Sequence, residues 1–129
     1  MDKSIIQKYL LSLPYSALDF PFGTKVEVYK VKNKMFATLS IRKMEKGGDD
    51  EQYWWMNVKC DSDEALMLRD IFPAVIPGYH MNKRHWNTII LDGSIPQGEI
   101  ERMIDNSFKL VVSKMTKKDQ QSILVDEHN

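Results

Sequence analysis

Five consecutive residues, Asn82, Lys83, Arg84, His85 and Trp86, place amide, ammonium, guanidinium and imidazole donors beside one indole ring. Lysine and arginine grip phosphate oxygens, arginine and asparagine reach base edges, and an indole face stacks on a base. That is chemistry for holding nucleic acid. The same residues have a structural use. Asn82 can tie down a loop by side-chain-to-backbone hydrogen bonds, and Trp86 can open a strand as a core residue. Upstream, Lys30, Lys32 and Lys34 crowd a predicted hairpin and would add phosphate contacts. A second contact surface is open to the chain. Trp54 and Trp55 are adjacent and would face opposite ways in a strand, so Trp55, with Tyr53 and Tyr79, could anchor a protein or a small ligand.

Catalytic chemistry finds little to use. His80 and His85 stand five apart, with Cys60 and Asp92 as further candidate ligands, but the closely spaced Cys and His pairs of a zinc site are missing. Cys60 closes a predicted strand whose inward neighbours are apolar, which reads as a buried small hydrophobe rather than a nucleophile. No G-x-S-x-G elbow occurs. Gly47 and Gly48 sit amid acids that would repel a phosphate, and Asp49, Asp50 and Glu51 read as a solvated turn. The expectation is a chain with no catalytic residues, no metal site and no cofactor.

The bulk numbers suit one domain: 129 residues, 43% hydrophobic and 28% charged, with a packed core about residues 4–124. Formal net charge is zero, which argues against indiscriminate nucleic-acid binding. The average hides a polarity. Residues 25–46 carry seven basic groups against Glu27 and Glu45, whereas residues 47–70 carry seven acids against Lys59 and Arg69. Neighbouring strands of opposite charge could pair, or a basic edge could meet a polyanion. The start, MDKSIIQKYLLSLPYS, lacks the features of a secretory signal, no run of eighteen apolar residues occurs, and Cys60 has no partner for a disulfide. A cytoplasmic address away from membranes is expected.

These residues must be held by elements. Ser4 is a candidate N-cap for a first helix with Ile5, Ile6, Tyr9, Leu10 and Leu13 at helical spacing, ended by Pro14. Ala17–Gly23 reads as a loop anchored by Leu18, Phe20 and Phe22. Three strands follow. The first is Lys25–Lys32. The second, through Met35 and Ile41, alternates in the period of two of a half-buried strand, and Tyr53–Cys60 is the third. Asn33-Lys34 would turn the first hairpin. Asp61 and Glu64 suggest a capping box, with Ala65, Leu68 and Phe72 on one face of the helix before Pro73. Val75–Gly78 is extended, Thr88–Leu91 is a strand, and Asp92-Gly93 is a turn. Ile100, Met103, Ile104, Phe108, Val111, Val112 and Met115 then form the clearest helical stripe. Thr116 would cap a final helix with Ile123 and Leu124, fraying from Asp126. The order is helix, three strands, helix, strand, helix, helix: an α+β domain with helices on one face of an antiparallel sheet.

The stretch Ile76-Pro77-Gly78-Tyr79-His80-Met81-Asn82-Lys83-Arg84-His85-Trp86-Asn87-Thr88, with Leu91-Asp92-Gly93-Ser94-Ile95-Pro96, strongly resembles the MmcQ/YjbR family. Lys34-Met35-Phe36-Ala37, Val58-Lys59-Cys60-Asp61 and Leu68-Arg69 match its other signatures, so the resemblance covers nearly the whole chain. It implies a compact fold related to the frataxin-like CyaY proteins. It also implies DNA binding through a double-wing arrangement of hairpins, in a family largely of unknown function. Asn82, Lys83, His85 and Trp86 match the signature, with Arg84 in its variable slot, and a wing would fall on Lys30–Lys34. Ser4–Leu13 holds no acid, so the iron binding of frataxin-like proteins does not carry over.

Overall fold

The computed structural model of the chain describes residues 3–43 and 52–128, the side chains of residues 43 and 124–128 excepted. Four helices and six strands follow in the order α1 (Lys3–Ser12), β1 (Ser16–Asp19), β2 (Val26–Val31), β3 (Lys34–Lys43), β4 (Gln52–Lys59), α2 (Ser62–Ile71), β5 (Val75–Pro77), β6 (Trp86–Leu91), α3 (Gln97–Ser113) and α4 (Lys117–His128). All strands pair antiparallel in one sheet of order β1-β2-β3-β4-β6-β5. The α+β class with an antiparallel sheet is as the patterning predicts.

The sheet has two more strands than expected, and both are edges. The predicted loop after Pro14 contains β1, and the extended stretch at Val75 is β5. Neither is long enough to show a period, and β1 is mostly exposed. Pro77 is tolerated because an edge strand has one row of N–H groups that need no ladder partner.

Cross-strand register places Leu39, Met56, Ile89 and Val75 in one row on the helical face. Against that face pack Ile6 and Leu10 of α1, Ala65 and Leu68 of α2, and Ile100, Met103, Ile104 and Phe108 of α3, all buried. The α3 stripe is the predicted one. In α1 the buried pair is Ile6 and Leu10, whereas Ile5 is exposed, and Ser4 lies inside the helix rather than capping it. Glu27 is buried on this face, accepting from Gln7 at 2.6 Å and Tyr29 at 2.7 Å, with the Lys3 ammonium at 3.3 Å. Lys3 also lies 3.9 Å above the Trp54 ring.

β3 departs from the half-buried pattern. A register shift at Tyr29/Lys30 leaves Phe36 opposite no residue, a bulge that turns Phe36 and Ala37 both inward. Phe36 then meets Phe108 edge-on at 5.4 Å. The hairpin turn is one residue earlier than predicted: Lys32 and Asn33 both take positive φ, 45° and 69°, the geometry of a two-residue type I′ loop. Asp61 caps α2 as expected, accepting from the Asp63 and Glu64 amides. The Glu64 carboxylate instead accepts from Arg102 of α3 at 2.8 Å. Thr116 receives the Asp119 amide at the start of α4, whose bounds run to His128. The Gly47-Gly48 turn and its acids fall outside the described residues, as does the Leu124 side chain. Among the described residues no helix is long and apolar enough to cross a membrane.

Candidate functional site

The loop carrying the Asn82–Trp86 signature is closed by its own backbone. Gly78 N–H donates to Trp86 O at 2.9 Å, Met81 N–H to Gly78 O at 3.2 Å, and His85 N–H to Asn82 O at 3.3 Å. Asn82 Oδ1 accepts from Arg84 N at 2.9 Å, an Asx turn, so this carbonyl holds the loop as the structural reading supposes. Lys83 Nζ donates to Gly78 O at 3.0 Å. Arg69 of α2 clamps the loop from outside, donating to Asn87 Oδ1 at 2.8 Å and to the carbonyls of Lys83 and Trp86. Lys83, Arg84 and His85 remain exposed, and Trp86 is half-buried. His85 O accepts the Cys60 amide at 2.7 Å, which pins the loop to the end of β4.

The lysines of the first hairpin divide. Lys30 turns toward the edge strand and pairs with Asp19 at 2.9 Å. The Lys30 hydrogen bond, then that of the Phe20 amide, hold the Asp19 carboxyl below the usual carboxylate range. Lys32 and Lys34 instead line a cleft of about 440 Å³ together with Lys59, Lys114, Met35, Val111, Met115, Thr116 and Asp119. Lys32 Nζ lies 3.5 Å from Asp119 and 2.6 Å from Ser122 Oγ. Lys34, Lys59 and Lys114 have no carboxylate partner among the described residues. Among the described residues the acids that meet the hairpin lysines therefore come from β1 and α4.

Cross-strand register links the cleft to the loop. Lys59 stands opposite Trp86, so the β2–β3 turn, the end of β4 and the Asn82–Trp86 loop occupy the same end of the sheet. Ser107 of α3 fixes that end. Its hydroxyl, fully buried, donates to Phe36 O at 2.6 Å and accepts the Lys59 amide at 2.8 Å. Lys59 and Lys114 are the residues that sequence reading left out. A signal existed for Lys114, a cation at the C-terminus of the strongest predicted helix. Lys59 follows from pairing that its position in the chain does not disclose.

The aromatic residues lie on the sheet face opposite the helices. Tyr79 N–H donates to Thr88 Oγ1 at 2.8 Å, and Asn57 Nδ2 donates to Tyr79 O at 3.3 Å. The Tyr79 ring meets Trp55 edge-on at 5.5 Å and His80 at 4.0 Å, with the Arg42 guanidinium 4.5 Å from its centre. Trp55 and Tyr79 are half-buried in this cluster, and Trp55 Nε1 is buried with no hydrogen-bond partner.

The YjbR family model matches residues 11–110. The chain belongs to the YjbR family. It is 32% identical over 127 residues to the protein YbdF of Escherichia coli O157:H7, covering 95% of this chain and 98% of that one. It is 27% identical to YjbR of Escherichia coli K12 over 88% of this chain and 89% of that protein. Both relatives are described as uncharacterised. Among solved structures, Deinococcus radiodurans protein DR2400, of domain DUF419, superposes with a TM-score of 0.79 at 30% identity, covering 93% of this chain and 86% of that one. A Pseudomonas syringae protein superposes with a TM-score of 0.77 at 28% identity, covering 86% and 99%.

In this YjbR chain Cys60 is buried. Burial, followed by the nearby Glu64 and Asp61, pushes the Cys60 thiol up to about 11. His80, His85, Cys60 and Asp92 do not assemble, and among the described residues no group of three or more His, Cys, Asp or Glu is placed to hold a metal ion.

Proposed function

We propose that this YjbR-family chain is a DNA-binding accessory protein that acts without catalysis, engaging phosphates through the basic end of its sheet. One observation carries the reading: Lys32, Lys34, Lys59 and Lys114 share one cleft, and the Lys59–Trp86 pairing puts the end of β4 and the loop of exposed Lys83, Arg84 and His85 at the same end of the sheet. Zero net charge is compatible with this, because phosphate contacts are local while net charge governs long-range steering. Lys30, neutralised by Asp19, drops out of the contact set. On this reading one wing is the hairpin that turns at Lys32-Asn33, at the same end of the sheet as the loop.

The test is the salt dependence of binding to a short labelled duplex, read by fluorescence anisotropy. Three to five phosphate contacts give a log–log slope of about −3 to −5, and Lys34→Ala with Lys59→Ala should flatten it by about 2. An affinity that ignores salt, or ignores the double change, refutes the reading.

A second reading places a protein or small ligand on the aromatic face. It is favoured by the Trp55–Tyr79 edge-on pair, with exposed His80 and with Arg42 against the Tyr79 ring, a half-buried aromatic patch. It predicts salt-insensitive capture that is lost on Trp55→Ala.

A further inference from the structure

We infer that the four-lysine cleft seats a terminal phosphate, the monoester at a DNA end, rather than the diester backbone running past. This rests on the DNA-binding reading and names what that site selects.

Shape and charge carry the argument. Three elements wall the cleft: the Lys32-Asn33 turn, the end of β4 at Lys59, and the corner between α3 and α4 from Lys114 to Thr116. Four lysines line it against one carboxylate residue, Asp119. An internal diester has one negative charge, two free oxygens and chain leaving on both sides, so it suits a ridge or a through-groove. A terminal monoester carries about −1.5 to −2, offers three oxygens, and has chain leaving on one side only. That is the better match to a cleft lined by three lysines with no carboxylate partner among the described residues.

Asp119 marks the position of the guest. Charge-assisted N–H···O bonds close to about 2.7–2.9 Å. Asp119 stands 3.5 Å from Lys32, whose short contact is to Ser122, so the carboxylate is a loosely held occupant that a stronger oxyanion can displace. Thr116, which also lines the cleft, accepts the Asp119 amide at its Oγ1. Lys32 reaches this place from a left-handed backbone, φ 45°, with its ammonium 4.8 Å from the Tyr15 ring. A free phosphate ion has the same oxygens, so the experiment separates the two sources.

Matched duplexes ending in phosphate or in hydroxyl are compared by anisotropy, with inorganic phosphate as competitor. The phosphate-ended duplex should bind about tenfold more tightly, and millimolar phosphate should erase that preference. Asp119→Asn should increase it. Lys59→Gln with Lys114→Gln should weaken both duplexes and bring their affinities together, with melting curves confirming that each variant is folded. Equal affinity for both ends, with a normal salt slope, overturns the end-seat and leaves the DNA reading intact. A preference that survives the double change also overturns it, because the seat then lies elsewhere. If neither duplex binds, both readings fall, and inorganic phosphate bound alone would assign the cleft to the free ion.

Discussion

A methyl group on Gly78 would stand 2.8 Å from both Cβ and O of Trp86 and 3.1 Å from Cβ of Met81. Those atoms belong to the loop that presents Lys83, Arg84 and His85, so the absence of a side chain at position 78 lets that loop close. Gly78→Ala should cost about 1–3 kcal/mol, the usual scale of overpacking, and should raise the amide exchange rates of residues 79–85. Unchanged stability and exchange would show that the loop closes by other means. Glu27 makes a second prediction at this scale. Burial opposes its ionisation, but hydrogen bonds from Gln7 and Tyr29 and the charge of Lys3 overcome that and hold its carboxyl below the usual range. A depressed folded pKa stabilises the fold at pH above the unfolded carboxylate value, about 4.3, and that stability is lost as pH falls through the folded value. Glu27→Gln should therefore unfold at lower urea than the parent near neutral pH, with the gap narrowing below about pH 4. A gap independent of pH would contradict the network.

At the scale of elements, α3 positions the basic end. The spacing of Ile100, Met103, Ile104 and Phe108 makes this helix legible in the sequence, because a 3.6-residue period needs no partner to be recognised. Its most consequential polar residue is not legible. Ser107 lies in the apolar stripe and satisfies Phe36 O and Lys59 N only because the Phe36 bulge brings β3 and β4 under it. Ser107→Ala would orphan a buried carbonyl and a half-buried amide, and should lower unfolding free energy by about 2–4 kcal/mol in urea titration. A loss under about 0.5 kcal/mol would mean that water replaces the hydroxyl. The edge strands β1 and β5 were hidden for a related reason: with four and three residues they are defined by pairing, not by pattern.

Across the whole molecule, charge is arranged by topology. The sequence shows Lys32 and Lys34 beside one turn and Lys83, Arg84 and His85 in one signature, but not that strand order β2-β3-β4-β6 sets both at one end with Lys59 between them. Lys114 joins them from 80 residues beyond Lys34 in the chain because α3 crosses back over the sheet toward that end. The same topology places Trp55, Tyr79 and Arg42 on the opposite face from the helices, away from this cleft's lining. The two candidate surfaces are therefore separable by residue. The most direct measurement is amide chemical-shift mapping during titration with a short DNA duplex. Convergence of the two basic segments predicts that Lys32, Lys34, Lys59, Lys83–His85, Lys114 and Thr116 shift together and saturate at one duplex concentration. Shifts confined to Arg42, Trp55 and Tyr79, or none at all, would contradict it.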